Sequence, residues 1–193
     1  MVTSEYTEFL ASKMIDVPPA GFPVELDSLN PMLFDWQRLI VRWGLHGGRR
    51  AFFQDCGLGK TAQQLDWLRL VCAHADAPGL ILAPLAVAEQ TAREGQKFGI
   101  PVRICERQAD VGAGVNITNY EKLHHFDPAA FAGIVLDESS ILKAFDGKMR
   151  REITESFHDT PYKLCCTATP APNDHMELGT HAEFLGIMTR AEM

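Results

Sequence analysis

The sequence has no run of about 20 uninterrupted apolar residues of the kind that spans a bilayer. Its opening stretch, MVTSEYTEFLASKMID, is too polar to serve as the apolar core of a secretory signal. A soluble protein of the cytoplasm is expected. The chain has only five cysteines, Cys56, Cys72, Cys105, Cys165 and Cys166, an odd number with no Cys-x-x-Cys pair. That excludes a disulfide framework or a zinc ribbon and predicts reduced thiols. Positive charge is also scarce. Lys and Arg number 18 against 25 Asp and Glu, for a formal charge of -7. A protein that coats nucleic-acid phosphates broadly needs many cations to release counterions, so any such contact here must be local. Internal repeats and low-complexity segments are missing too.

What is present is enough apolar material for one core, 46% of 193 residues. Residues 1–30, with Pro18-Pro19, Gly21 and Pro23, read as a short helix over 4–14 followed by an irregular linker. From residue 31 to 193 the chain alternates β-rich and helical runs, the pattern of a single α/β domain with a mainly parallel sheet covered by helices on both faces. Strands are expected over 50–54, 79–84, 101–105, 114–118, 133–137 and 162–167. Helices are expected over 33–45, 60–74, 87–98 and 148–157. Runs such as Leu80-Ile81-Leu82-Ala83 and Ile134-Val135-Leu136 are continuously apolar, as strands buried on both faces require.

Strand, glycine turn and helix meet at Asp55-Cys56-Gly57-Leu58-Gly59-Lys60-Thr61. Glycines there let backbone N–H groups curl round phosphate oxygens, and the helix that follows points its positive dipole end at them. In such a loop Lys60 reaches the outer phosphates of ATP and the Thr61 hydroxyl ligates Mg²⁺. The general phosphate-loop pattern has glycine where this sequence has Gln54. Seventy-six residues after Thr61, a buried strand runs into Asp137-Glu138-Ser139-Ser140. Two carboxylates at the C-terminal end of a sheet strand lie where open α/β sheets bind ligands. Asp137 can hold Mg²⁺, and Glu138 can orient and deprotonate the water that attacks the γ-phosphorus. A third strand ends in Thr167-Ala168-Thr169-Pro170, whose hydroxyls could couple the phosphate site to a neighbouring lobe.

Together these segments resemble the first RecA-like lobe of superfamily-two helicases, in the Swi/Snf-like branch. The resemblance covers most of 30–193. Gly57-Leu58-Gly59-Lys60-Thr61 is the form that branch shows, and Asp137-Glu138-Ser139-Ser140 occupies the Asp-Glu-x-His place without its histidine. Phe34-Asp35-Trp36-Gln37 looks like the upstream element in which a glutamine reads adenine, which implies that role for Gln37. Leu82-Ala83-Pro84-Leu85 and Ile117-Thr118-Asn119-Tyr120 are similar to the two segments that grip the nucleic-acid backbone, which implies contacts from Pro84, Thr118 and Asn119. Thr167 and Thr169 match the coupling segment. The wording of Asn30-Pro31-Met32-Leu33-Phe34 and Pro172-Asn173-Asp174-His175 is similar to helicases of phages and prophages, and so implies a bacterial or phage-infected host cytosol.

The resemblance implies ATP and Mg²⁺ as cofactors, double-stranded DNA as partner, and a second RecA-like lobe carrying an arginine finger. The 23 residues after Pro170 are too few to form that lobe. An incomplete ATPase, weak by itself, is expected. Two alternatives stay open: a nucleotide-dependent nucleic-acid-binding module without catalysis, and another phosphate-loop enzyme such as a kinase. Of the remaining features, adjacent His124 and His125 are expected to face apart and not to form a metal site with His175 or His181. Lys143, Lys148, Arg150 and Arg151 are a candidate backbone-contacting patch. Arg49 and Arg50 read as surface charge.

Overall fold

The computed structural model describes Tyr6 and residues 17–143, 147–171 and 177–189. The helix expected over 4–14 lies outside them except at Tyr6, which is helical, and the 172–175 segment lies outside them as well. Among the described residues six strands form one sheet: β1 (Arg49–Phe53), β2 (Gly79–Ala83), β3 (Val102–Ile104), β4 (Val115–Asn119), β5 (Gly133–Asp137) and β6 (Tyr162–Thr167). Their order is β1-β6-β5-β2-β4-β3, and every pairing is parallel. Among the described residues five α-helices accompany them: α1 (Asp35–Gly47), α2 (Lys60–Ala75), α3 (Ala88–Lys97), α4 (Gly147–Ser156) and α5 (Leu178–Leu185). No described helix is long and apolar enough to cross a membrane.

The apolar runs alternate between the two faces of the sheet, as strand geometry dictates. Ile81, Ile117, Val135, Leu164 and Cys166 point toward one core with Leu65, Trp67, Leu68 and Val71 of α2. Leu80, Leu82, Ile134, Leu136 and Cys165 point the other way, into a core closed by Ile153 of α4, Phe157, and Phe184 and Leu185 of α5. Each such fully buried aliphatic side chain contributes roughly 1.5–3 kcal/mol, so the two layers hold the sheet rigid between them.

Residues 20–30 pack against α1 and α2. The backbone N–H groups of Ala20, Gly21 and Phe22 donate to the carbonyls of Gly47, His46 and Leu45, filling acceptors that the end of α1 leaves open. Phe22 then stacks on His74 at 3.8 Å, and the Asn30 amide N–H donates to the buried carboxylate of Asp66. Arg49 and Arg50 are likewise structural. Arg49 donates to the carbonyls of Pro161 and Thr160, and the Arg50 guanidinium lies 5.3 Å over the Trp43 ring.

Candidate active site

Parallel pairing brings the ends of three strands together. Phe53 of β1 is level with Thr167 of β6, and Cys166 of β6 is level with Asp137 of β5. The loop after β1, the hydroxyl pair after β6 and the carboxylate pair at β5 therefore open onto one edge of the sheet.

The phosphate loop turns on Gly57 and Gly59, both left-handed at φ 80° and 75°, and Lys60 begins α2 immediately afterwards. The first turn of α2 carries no acidic residue, so its N-terminal field is open to an anion. Lys60 Nζ donates to the loop carbonyls of Gln54 and Asp55 at 2.9 and 3.1 Å, which poises the ammonium over the rim of the turn. Thr61, half-buried, follows on the same turn.

Three glutamines brace this loop. Gln37 accepts from the Phe34 N–H and donates to the Leu58 carbonyl at 2.9 Å. Gln63 donates to the same carbonyl at 3.0 Å and forms a reciprocal amide pair with Gln54, both contacts at 2.8 Å. The departure from glycine at position 54 thus has a physical reason: its side chain is a strut to α2. Gln63 was not legible as a functional residue, because its partners lie on a loop whose shape only the fold reveals.

Asp137 is buried, whereas Glu138 beside it is exposed. Burial raises the Asp137 pKa, and the Glu138 charge raises it further. The Gln64 amide, the Glu138 N–H and the Lys60 ammonium oppose the rise. Gln64 is fully buried and makes no hydrogen bond of good geometry, yet its amide lies near enough to favour the charged carboxylate. Glu138 has a left-handed backbone at φ 50°, which costs roughly 1–3 kcal/mol for a residue with a side chain. Such strain persists only where neighbours enforce it. Tyr120 Oη donates to the Asp137 carbonyl at 2.8 Å, and the Ile141 N–H donates to the Glu138 carbonyl at 2.9 Å.

The residues present fit a magnesium ion. Among the described residues no three His, Cys, Asp or Glu gather into a metal cage. Mg²⁺ does not need one, since it keeps waters and substrate phosphates and takes one or two protein oxygens, which in this chain Thr61 and Asp137 would supply.

The other expected residues fall in different settings. Thr167 is fully buried, and its Oγ1 accepts from the Thr169 N–H at 3.1 Å, which links the two hydroxyl residues directly. Pro84 and Asn119 line a shallow crevice of about 100 Å³ with Leu85, Tyr120, Glu121 and Ile141. Asn119 is nearly closed off, its side chain capping the following turn through the Lys122 N–H. Thr118 is not on that surface. It is 2% exposed, as every residue of β4 is covered. His124 and His125 do not face apart: the segment is a 3-10 helix and the two rings lie 3.9 Å apart. His181 bonds Ser139. Lys148 and Arg151 share an open depression with Glu152 and Glu155, so that surface is mixed in sign.

Solved structures with the same fold include the SWI2/SNF2 ATPase core of Sulfolobus solfataricus in complex with dsDNA, at a TM-score of 0.71 and 21% identity over 89% of this chain and 40% of that one. The UvsW helicase of bacteriophage T4 superposes at 0.67, with 14% identity over 97% of this chain and 66% of that one. The Hef helicase domain of Pyrococcus furiosus superposes at 0.65, with 17% identity over 86% and 39%. This chain thus spans about 40% of the length of the SWI2/SNF2 core. No curated protein sequence matches it significantly. The description of the SNF2-related domain matches residues 36–191, most of the chain. With its RecA-like lobe built from one parallel sheet, the chain belongs to the SNF2-related domain family.

Proposed function

We propose that this chain binds and hydrolyses ATP as the first motor lobe of a helicase or translocase acting on double-stranded DNA in the cytosol. The observation that carries the reading is the register of β1, β6 and β5, which sets the phosphate loop, Thr167 and Asp137-Glu138 along one sheet edge. In this reading the loop from Asp55 to Gly59 wraps the phosphates with backbone N–H groups, and Lys60 leaves the Gln54 and Asp55 carbonyls to meet them. Gln37, already bonded to the loop at Leu58, carries a second amide N–H and a second lone pair toward the adenine. Thr61 and Asp137 hold Mg²⁺, which when bound neutralises phosphate charge. Glu138, exposed and fixed by its neighbours, takes the proton of the attacking water. Thr167 and Thr169 pass the state of the site to a second lobe, and the Pro84–Asn119 crevice meets the DNA backbone.

Calorimetric Mg-ATP binding and steady-state turnover, with and without duplex DNA, test this on the wild type, Lys60→Ala and Glu138→Gln. The expected pattern is loss of binding in Lys60→Ala, and retained binding with lost turnover in Glu138→Gln. A wild-type chain that binds no Mg-ATP would overturn the reading. Normal binding with no turnover, even beside a second lobe and DNA, would replace it with a nucleotide-dependent binding module.

A further inference from the structure

A buried histidine stands beside the proposed general base without a part in the chemistry above. His181 of α5 is 2% exposed, and its Nε2 lies 3.0 Å from the Oγ of Ser139, which is fully buried. Ser139 directly follows Glu138, the residue held at φ 50°. On the other flank Tyr120 Oη holds the Asp137 carbonyl. The strained peptide is therefore fastened by a buried side-chain bond on each side. The His181 ring also meets the Phe53 ring edge-on, at 5.1 Å and 78°, and Phe53 is the last residue of β1 before the phosphate loop. One imidazole thus touches both the strand that delivers the loop and the residue that follows the base. It does so from a helix that lies beyond Thr169 in the chain.

We infer that His181 is a positioning residue for Glu138: through Ser139 it holds the base in its left-handed conformation and ties that conformation to the seating of α5. The inference rests on the reading of Glu138 as the base. A carboxylate on a strained peptide can relax into an ordinary backbone conformation once a clamp is removed, and the carboxylate then turns away from the water it must activate. Because α5 is packed through Phe184 and Leu185 into the core under β5 and β6, a shift of α5 would be felt at Glu138 by way of His181. The base would then be coupled to whatever binds beyond Thr169.

The test uses the full chain as His181→Ala, His181→Gln, Ser139→Ala and the double alanine variant. Hydrolysis is followed in single-turnover reactions with protein in excess over Mg-ATP, and binding by calorimetry. Glutamine can place an amide where Nε2 lies. Each single alanine variant is expected to slow cleavage about tenfold to a hundredfold with nearly unchanged Mg-ATP affinity. The double variant is expected to lose no more than either single one, and His181→Gln to recover most of the rate. In parallel, the three-bond coupling between the amide and α protons of Glu138 reports its φ without any nucleotide. It is expected to leave the left-handed value in His181→Ala and to keep it in His181→Gln. A wild-type rate in His181→Ala, an equal loss of affinity, strictly additive losses, or an unchanged coupling would each overturn the inference. If the wild type binds no Mg-ATP, the ATPase reading falls by itself, and the coupling alone then decides whether the clamp exists.

Discussion

The two glycines of the phosphate loop share a left-handed backbone but not the same surroundings. A Cβ on Gly57 would meet nothing within 4 Å, whereas one on Gly59 would lie 2.5 Å from the Gln37 amide nitrogen. Gly57→Ala should therefore cost only the left-handed penalty, about 1–2 kcal/mol. Gly59→Ala should cost that and also push Gln37 off the Leu58 carbonyl, with a larger drop in urea midpoint and a larger loss of Mg-ATP affinity. Equal effects from the two would show that Gln37 does not brace the loop. Cys56 gives a second prediction on the same turn. It is exposed while Cys72, Cys105, Cys165 and Cys166 are buried. Burial also pushes the Cys72 and Cys105 thiols up to about 11, and those of Cys165 and Cys166 higher still, which removes the reactive thiolate. Iodoacetamide on the folded chain should modify Cys56 first, as read by peptide mass, and Mg-ATP should slow that reaction. Modification spread evenly over the five would contradict the burial. The positions of the loop, Lys60 and the carboxylate pair were legible in the sequence, because an apolar run that stops at glycines or at paired carboxylates marks the end of a buried strand. The glutamine braces were not, since Gln37 meets its partner 21 residues away only after α1 has docked.

At the scale of elements, β6 is pinned to its surroundings by Lys163. The residue is 2% exposed, and its Nζ donates to the carbonyls of His158 and Phe184, joining the strand to the turn before it and to the end of α5. Burial, followed by the nearby Arg49 charge, lowers its pKa from 10.5 to about 8. Below that value the lysine is charged whether the chain is folded or not, so the cost of burying the charge stands in full. As pH rises from about 8 toward 10.5, only the unfolded chain keeps the proton. This contribution to stability then grows by up to about 1.4 kcal/mol per pH unit. The buried cysteines oppose it above about pH 9, where they ionise only in the unfolded chain. The difference in urea stability between wild type and Lys163→Met isolates the lysine and should move in favour of wild type between about pH 7 and 9. A flat difference would mean that the folded chain keeps the Lys163 proton through pH 9, so that burial does not lower its pKa. The strands themselves were readable from apolar runs, and all six lie within a residue or so of the expected bounds. Helix α5 was not anticipated. It is only eight residues long, too short for helical periodicity to declare itself, and it is stabilised by burying His181, Phe184 and Leu185 against distant elements.

For the whole molecule, the arrangement is one wall of a site. The phosphate loop, Glu138 and Thr169 all open at the same sheet edge, where burial raises the Asp137 pKa and the Lys60 charge partly opposes the rise. Charge that builds on the γ-phosphoryl oxygens during cleavage needs compensation from the opposite side as well. The solved SWI2/SNF2 core is more than twice the length this chain covers, which leaves room for such a partner surface. In phosphate-loop hydrolases an arginine arriving from a second element is worth about 10³–10⁵ in rate. We therefore expect slow hydrolysis by this chain alone and a rise of that order when a second RecA-like lobe is supplied, in the same polypeptide or as a separate chain. Duplex DNA should add to the rise only when both lobes are present, because one lobe with a net charge of -7 holds the backbone weakly. Turnover measured with the lobe alone, with DNA alone and with both separates these contributions. Full activity from the single lobe would mean that the catalytic cation is already within this chain.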